Sequence, residues 1–403
     1  MHRIRRLGQV ARRGGALLRN RLDRRSFAAR CNDDPAALDA PVALYFADGP
    51  ENLYQLHQWD RVLAALPWPV VVIAARPDTG RRVLDETSLP VFFAPGSSYL
   101  EALVARGRLQ VVAYVNHLPL NFRMLRFASP VHVHLGHGES DKDSSVTNQN
   151  KAYDRVLVAG AAARARIAGA LREFDAAAHV REVGRPQLDL DYPGAPGWPD
   201  DGRTRVLYAP TWEGDRASMA YGSVASHGVA LVRSLVDDPR YRVIYRPHPR
   251  TGVQDPSYAA ADRRIRALLA ERGSDHLVDT GPYGWQWAFA DVCVTDLSSV
   301  AYDWLATGKP MLVTVPTEAR TTLPPSLFLD EVPRLEAADA PHAAAILDRP
   351  WPRERMRELS EAYFGDTAPG ASTARFVAAL DEAIRLASVP VGPTSAAGPA
   401  DED

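Results

Sequence analysis

Short valine-rich apolar runs recur along this chain, separated by polar turns and by stretches with helical spacing. Residues 42–46, 70–74, 91–94, 111–115, 131–135 and 156–159 have the length and β-branched content of buried strands. Helical patterns over 52–66, 99–106 and 161–174 lie between several of them. A second series begins at 206, with strands predicted at 206–209, 242–245, 276–278, 292–294 and 311–315. Its helices are predicted at 225–236, 258–272, 300–307, 353–363 and 374–386. Such alternation predicts an α/β protein of two Rossmann-like, doubly wound domains facing across a cleft, with ligands at the carboxyl ends of the strands. The stretch 191–204, dense in Pro, Gly and Asp, reads as the linker between domains at 40–190 and 205–387. Residues 388–403 read as a disordered tail.

Composition narrows the functional classes. The length of 403 residues exceeds one ordinary core, and 46% hydrophobic with 24% charged residues fits a soluble α/β protein. A net charge of −2 argues against a nucleic-acid partner. Two cysteines, Cys31 and Cys293, supply neither a disulfide framework nor a metal cluster, which suits a reducing cytoplasm. The first thirty residues stand apart, with ten Arg and the single acid Asp23. They read as a basic arm, either lying on an anionic membrane surface or forming a disordered or packed extension.

Four segments could carry chemistry. In VHVHLGHGESDKD, a strand runs into Gly136-His137-Gly138, a flexible turn that leaves His137 open to a ligand as a general base, or places it there incidentally. His132 and His134 share one strand face and raise the question of a metal pair. In LYAPTWEGDR, Thr211 could offer a hydroxyl to a phosphate or nucleotide, and Trp212 could be wall or core. In VIYRPHPR, Pro247 and Pro249 hold His248 in extended backbone beside Arg246 and Arg250, an arrangement suited to gripping a pyrophosphate or simply a solvated loop. In ADVCVTDLSSVAYDWLATGKP, a strand, the polar cluster Thr295, Asp296, Ser298 and Ser299, and a helix start follow in order. That order aims backbone N–H groups at an anion, unless the serines only cap the helix. Asp303 lies on the same helical face as Ser299 and could reach a ribose hydroxyl or turn back to the cap. Ser372 and Thr373, after a Gly-rich turn, could add an anion contact or an N-cap.

Taken together, these segments resemble the CDP-glycerol glycerophosphotransferase family, the polymerases and primases of wall teichoic acid synthesis. The matches are Gly136-His137-Gly138 with Lys142 downstream, Tyr208–Trp212, Arg246-Pro247-His248-Pro249, the block 295–310, and Gly184-Arg185-Pro186 with Asp189. The resemblance implies a GT-B fold and attack by a polyol hydroxyl on the β-phosphorus of CDP-glycerol, with release of CMP. It implies His137 as base, His248, Ser298 and Ser299 on the pyrophosphate, and Thr211 and Asp303 toward the nucleotide, with Gly138, Arg246, Thr295 and Asp296 in the binding set. The expected partners are a nucleotide-activated donor, a lipid-linked or glycan acceptor and the inner face of the cell membrane, with no cofactor and no metal. The chain departs from the family pattern at Gly136, at Glu139-Ser140-Asp141 and at Leu297. Glu139 and Asp141 would repel a polyanionic acceptor or orient His137. The alternatives are a glycosyltransferase using a nucleotide sugar and a non-catalytic nucleotide-binding relative.

Overall fold

The computed structural model describes residues 23–141, 146–281, 283–323 and 325–389. Lys142, nearly all of the basic arm and nearly all of the C-terminal tail lie outside them. The chain forms two compact units, one drawn from Met1–His137, Asn148–Leu157 and Val377–Asp403, the other from Gly138–Thr147 and Val158–Phe376.

The first sheet contains β1 (Val42–Phe46), β2 (Val70–Ala74), β3 (Val91–Phe93), β4 (Val111–Tyr114), β5 (Val131–His134), β6 (Arg155–Val158) and β7 (Val180–Glu182), in the order β3-β2-β1-β4-β5-β6-β7. β1 and β2 are buried along their whole length, as strands covered on both faces must be. Helix α1, residues 23–31, packs Phe27 edge-on against Phe93 at the end of β3, with ring centroids 5.1 Å apart. α2 (Pro77–Glu86) and α3 (Ser97–Ala105) follow β2 and β3.

The second sheet contains β8 (Thr204–Ala209), β9 (Tyr241–Tyr245), β10 (Leu277–Val278), β11 (Val292–Thr295), β12 (Met311–Thr314) and β13 (Arg334–Leu335). Its order, β10-β9-β8-β11-β12-β13, is the 3-2-1-4-5-6 winding of a doubly wound sheet, and its neighbouring strands pair in parallel. Alternate residues feed two cores. Val206, Tyr208, Val243, Tyr245 and Val294 meet Leu231, Leu235 and Ile265 from α5 (Val229–Val236) and α6 (Pro256–Ala270). Leu207, Ile244, Cys293 and Val313 meet Trp304 and Leu359 from α7 (Ser299–Leu305) and α8 (Arg353–Phe364). α4 (Ala161–Ala170) precedes β7.

Three expectations change. The helix expected over 52–66 is broken into a 3-10 turn at Pro50–Asn52 and short helices Tyr54–His57 and Asp60–Ala64. The domain limits at 190 and 387 also shift. The final helix α9 (Ala371–Ala387) runs back into the first unit, where Glu382 pairs with Arg155 at 3.1 Å. The supposed linker is fastened to the second unit, since Trp198 donates its indole N–H to Ser274 O (2.9 Å) and lies under the Arg242 guanidinium.

Candidate functional site

The winding of the second sheet reverses between β8 and β11, and the chain leaving the carboxyl ends of these strands carries the motifs. Asp296, just past β11, is fully buried and ties the two ends together. It accepts the backbone N–H groups of Thr211 (2.7 Å) and Ser223 (3.1 Å) through Oδ2 and the Thr314 hydroxyl (2.5 Å) through Oδ1. Burial raises its pKa to about 6 against the lowering pull of these hydrogen bonds. Thr295 spends its hydroxyl on Ala209 O at 2.7 Å. Both side chains therefore brace the turn, and the binding role expected for them is replaced by a structural one. The backbone of Thr211 is held by the same carboxylate.

Ser298 occupies the N-cap position of α7, yet its side chain makes no capping bond. Its Oγ is buried without a hydrogen-bond partner, so capping does not account for this serine. Ser299 starts the helix and lies against Gly138. Gly138 has φ +152°, and a Cβ there would come within 2.5 Å of Ser299 Cβ. Asp303, one turn on, is completely buried. Its carboxylate is gripped by Arg185 (Nε–Oδ1 2.6 Å, Nη2–Oδ2 2.9 Å) and by the Tyr283 hydroxyl (2.8 Å). A ribose cannot displace a bidentate buried ion pair at small cost, so Asp303 is corrected from ligand to brace.

β9 leads into the Arg-Pro-His-Pro segment. The Arg250 backbone N–H donates to His248 Nδ1 at 3.1 Å, which leaves the proton of the neutral ring on Nε2. Arg246 gives Nη1 to Asp279 (2.6 Å) and to Gly281 O (3.0 Å). Trp212 is covered by the Arg250 guanidinium, 3.7 Å from the ring centre, and stacks with His248 at 6.2 Å. Glu213, passed over in the sequence, accepts backbone N–H groups from Gly252, Gln254 and Asp255 at 2.7–3.1 Å and so shapes the loop after His248. The only signal for it was an acid inside an otherwise aromatic and Gly-bearing turn.

In the first unit, His137 follows β5 and donates Nδ1–H to the Val115 carbonyl at 2.8 Å. In the neutral ring Nε2 then carries the lone pair that can accept a proton. The backbone beside it is held by Trp59, whose indole N–H donates to Gly136 O at 2.7 Å. His132 lies between the Tyr114 hydroxyl (2.9 Å) and Phe127 O (2.7 Å), so both of its nitrogens are engaged and the metal-pair reading falls. His134 stacks on His117 with ring centroids 4.1 Å apart, and burial holds His117 down to about 4. Among the described residues, no group of three or more His, Cys, Asp or Glu could hold a metal ion.

Glu139 and Asp141 turn into the second unit. Both pair with Arg166, and Asp141 also accepts from the hydroxyls of Ser326 and Tyr363. Burial pushes the Glu139 carboxyl up, against the opposing pull of Arg166. Both acids are buried and held by partners of their own unit rather than standing open to solvent. Thr373 likewise spends its N–H (2.7 Å) and hydroxyl (2.8 Å) on Asp189 rather than on an anion.

The fold is of the GT-B type, α/β with two parallel sheets. Residues 136–319 match the family model of CDP-glycerol:poly(glycerophosphate) glycerophosphotransferases, so the resemblance drawn from the motifs holds over the stretch that carries most of them. No curated protein sequence matches the chain. Among solved structures it is similar to the wall teichoic acid polymerase TagF in a CDPG soak, at 13% identity and TM-score 0.56, over 94% of this chain and 97% of that one. It is also similar to Staphylococcus aureus MnaA in a co-structure with UDP, at 12% identity and TM-score 0.55, over 86% of this chain and 97% of that one.

Proposed function

We propose that the chain transfers a polyol phosphate, glycerol phosphate foremost, from a CDP-activated donor to a hydroxyl of a lipid-linked or cell-surface glycopolymer, releasing CMP. The observation that carries this reading is the tautomer of His137. With Nδ1–H committed to the Val115 carbonyl, Nε2 can take the proton of the acceptor hydroxyl. The acceptor oxygen then bonds to the β-phosphorus as the bond from that phosphorus to the bridging oxygen breaks, and the bridging oxygen departs on CMP.

His248 and Ser298 are the donors to the pyrophosphate in this scheme. The backbone bond to His248 Nδ1 puts the ring proton on Nε2, and the Ser298 Oγ is a buried polar atom in need of a partner. Ser299, Gly138 and Thr211 line the same turn region, and Arg246 adds positive charge that Asp279 orients. The match to the glycerophosphotransferase family supports the donor class. Work at the inner face of the membrane, on a lipid-linked acceptor and without a cofactor, completes the proposal.

Mixing the protein with CDP-glycerol and a membrane fraction is expected to release CMP. Absence of CMP with every CDP-polyol tried would contradict the reading. A parallel panel of nucleotide sugars, scored by thermal stabilisation, is expected to shift the melting temperature less than CDP-glycerol does.

A further inference from the structure

The broken helical segment between β1 and β2 meets both strand ends that hold His137. A regular helix over this stretch would splay Tyr54 and Trp59 about 140° apart around its axis. The chain instead forms the short helices Tyr54–His57 and Asp60–Ala64, and Trp59, at the joint between them, is 2% exposed. Its indole N–H donates to Gly136 O at 2.7 Å. Gly136 has φ +66°, a conformation that residues with a side chain rarely adopt. The peptide group joining Gly136 to His137 is thus fixed by an indole from elsewhere in the chain.

Two more residues of the segment reach the same place. Gln55, buried, accepts the Asn116 amide N–H at 2.8 Å and donates to the Tyr54 hydroxyl at 3.3 Å. Asn116 follows Val115, whose carbonyl fixes the His137 tautomer, and its own carbonyl accepts from the Asn121 amide at 2.7 Å. Tyr54 stands edge-on to the imidazole of His137, with ring centroids 6.3 Å apart and the planes at 88°. The segment is itself anchored. Leu53 and Leu56 are buried, and His57 sets Nδ1 against Asp60 (2.9 Å) and Nε2 against Glu86 of α2 (2.8 Å). Core packing would explain a buried indole. It would not explain why Tyr54, Gln55 and Trp59 converge on the two turns that border one imidazole.

We propose that Trp59, Gln55 and Tyr54 are positioning residues for His137. Trp59 sets the turn that presents the ring, Gln55 sets the strand end whose carbonyl keeps the proton on Nδ1, and Tyr54 limits rotation of the ring. None of the three has to touch the reacting atoms. The inference rests on the transferase reading for the hydroxyl that Nε2 would deprotonate, whereas the tautomer and orientation of the ring are properties of the free protein. Misplacing a reacting group by about 1 Å costs on the order of 10²-fold in rate, so loss of one contact should appear in turnover rather than in donor affinity.

The full chain is tested by nitrogen NMR with isotopically labelled histidine, the His137 signals being assigned by their loss in His137→Gln. The neutral ring of the wild type is expected to carry its proton on Nδ1. Trp59→Phe keeps a buried aromatic ring and deletes the N–H. It is expected to mix in the other tautomer and to lower kcat for CMP release by about tenfold or more, with KM for CDP-glycerol changed by less than about twofold. Tyr54→Leu should act in the same direction, and Tyr54→Phe, which keeps the edge-on ring, should retain most of the wild-type turnover. Trp198→Phe deletes an indole hydrogen bond of 2.9 Å in the second unit and should leave both readouts unchanged. Denaturant unfolding establishes that each variant is folded, and the half-buried Tyr54 decides the matter by the same readouts should Trp59→Phe not fold. A folded Trp59→Phe or Tyr54→Leu protein with the wild-type tautomer and kcat, or with a change in KM alone, would overturn the proposal. A wild type that holds the Nδ1–H tautomer, loses it in Trp59→Phe and releases no CMP defeats only the transferase reading. CMP release indifferent to these substitutions defeats only this inference.

Discussion

In the proposed transfer, the chemistry turns on which nitrogen of His137 carries the proton. His137→Ala should lower turnover by about 10²–10⁴, measured as CMP formed per enzyme, while leaving nucleotide binding intact. Asp296 offers a separate test. Its carboxyl is raised to about 6 in the folded chain from an ordinary value of 3.8, so the folded state binds this proton more tightly than the unfolded state does. The resulting stability is fully present below about pH 4 and is lost as pH rises through about 6, a swing of up to about 3 kcal/mol. Asp296→Asn can keep the arrangement, with one oxygen for both N–H groups and an N–H turned to Thr314. Thermal unfolding between pH 4 and 7 should therefore show a flatter profile for the variant than for the wild type. The sequence flagged both residues as polar groups at strand ends. It could not separate the one that faces a ligand from the one that braces the turn, because the partners of Asp296 come from residues 211, 223 and 314.

Among the elements, α7 and the turn before it concentrate the tightest constraints. Gly138→Ala should destabilise the fold by about 2 kcal/mol or more and lower turnover, as read by denaturant unfolding and CMP release. The added Cβ would have to share space with Ser299 in a backbone conformation that side chains rarely adopt. Asp303→Asn should cost about 3–5 kcal/mol, read by denaturant unfolding, by taking the bidentate carboxylate away from the buried Arg185. Arg185→Met/Asp303→Leu should recover most of that loss in the same unfolding measurement. Strand positions were legible because valine-rich runs buried on both faces have few alternatives. α2 was not, since Pro77 and Gly80 look like breakers. In the fold Pro77 stands in the first turn, where no N–H is needed, and Gly80 lets Phe27 approach to within 2.8 Å of where a Cβ would sit. The helix expected over 225–236 begins instead with a π turn, Val224–Gly228, where Gly228 fits beneath Tyr208 and Ile265. Spacing along the chain carries no record of such tertiary neighbours.

For the whole molecule, the alternation of strands and helices was enough to predict two doubly wound sheets, and the order of motifs was enough to suggest the family. The return of α9 to the first unit was invisible, because the Arg155–Glu382 pair joins residues 227 apart in sequence. In the proposed transfer the bond from the β-phosphorus to the bridging oxygen of the donor breaks, and isotopic labelling reads that directly. CDP-glycerol labelled at the β-phosphorus, incubated with the protein and a membrane fraction, should place the label in the acceptor product and leave the released CMP unlabelled. Label released with the nucleotide as CDP would mean that the glycerol moved without its phosphate, and would contradict the account.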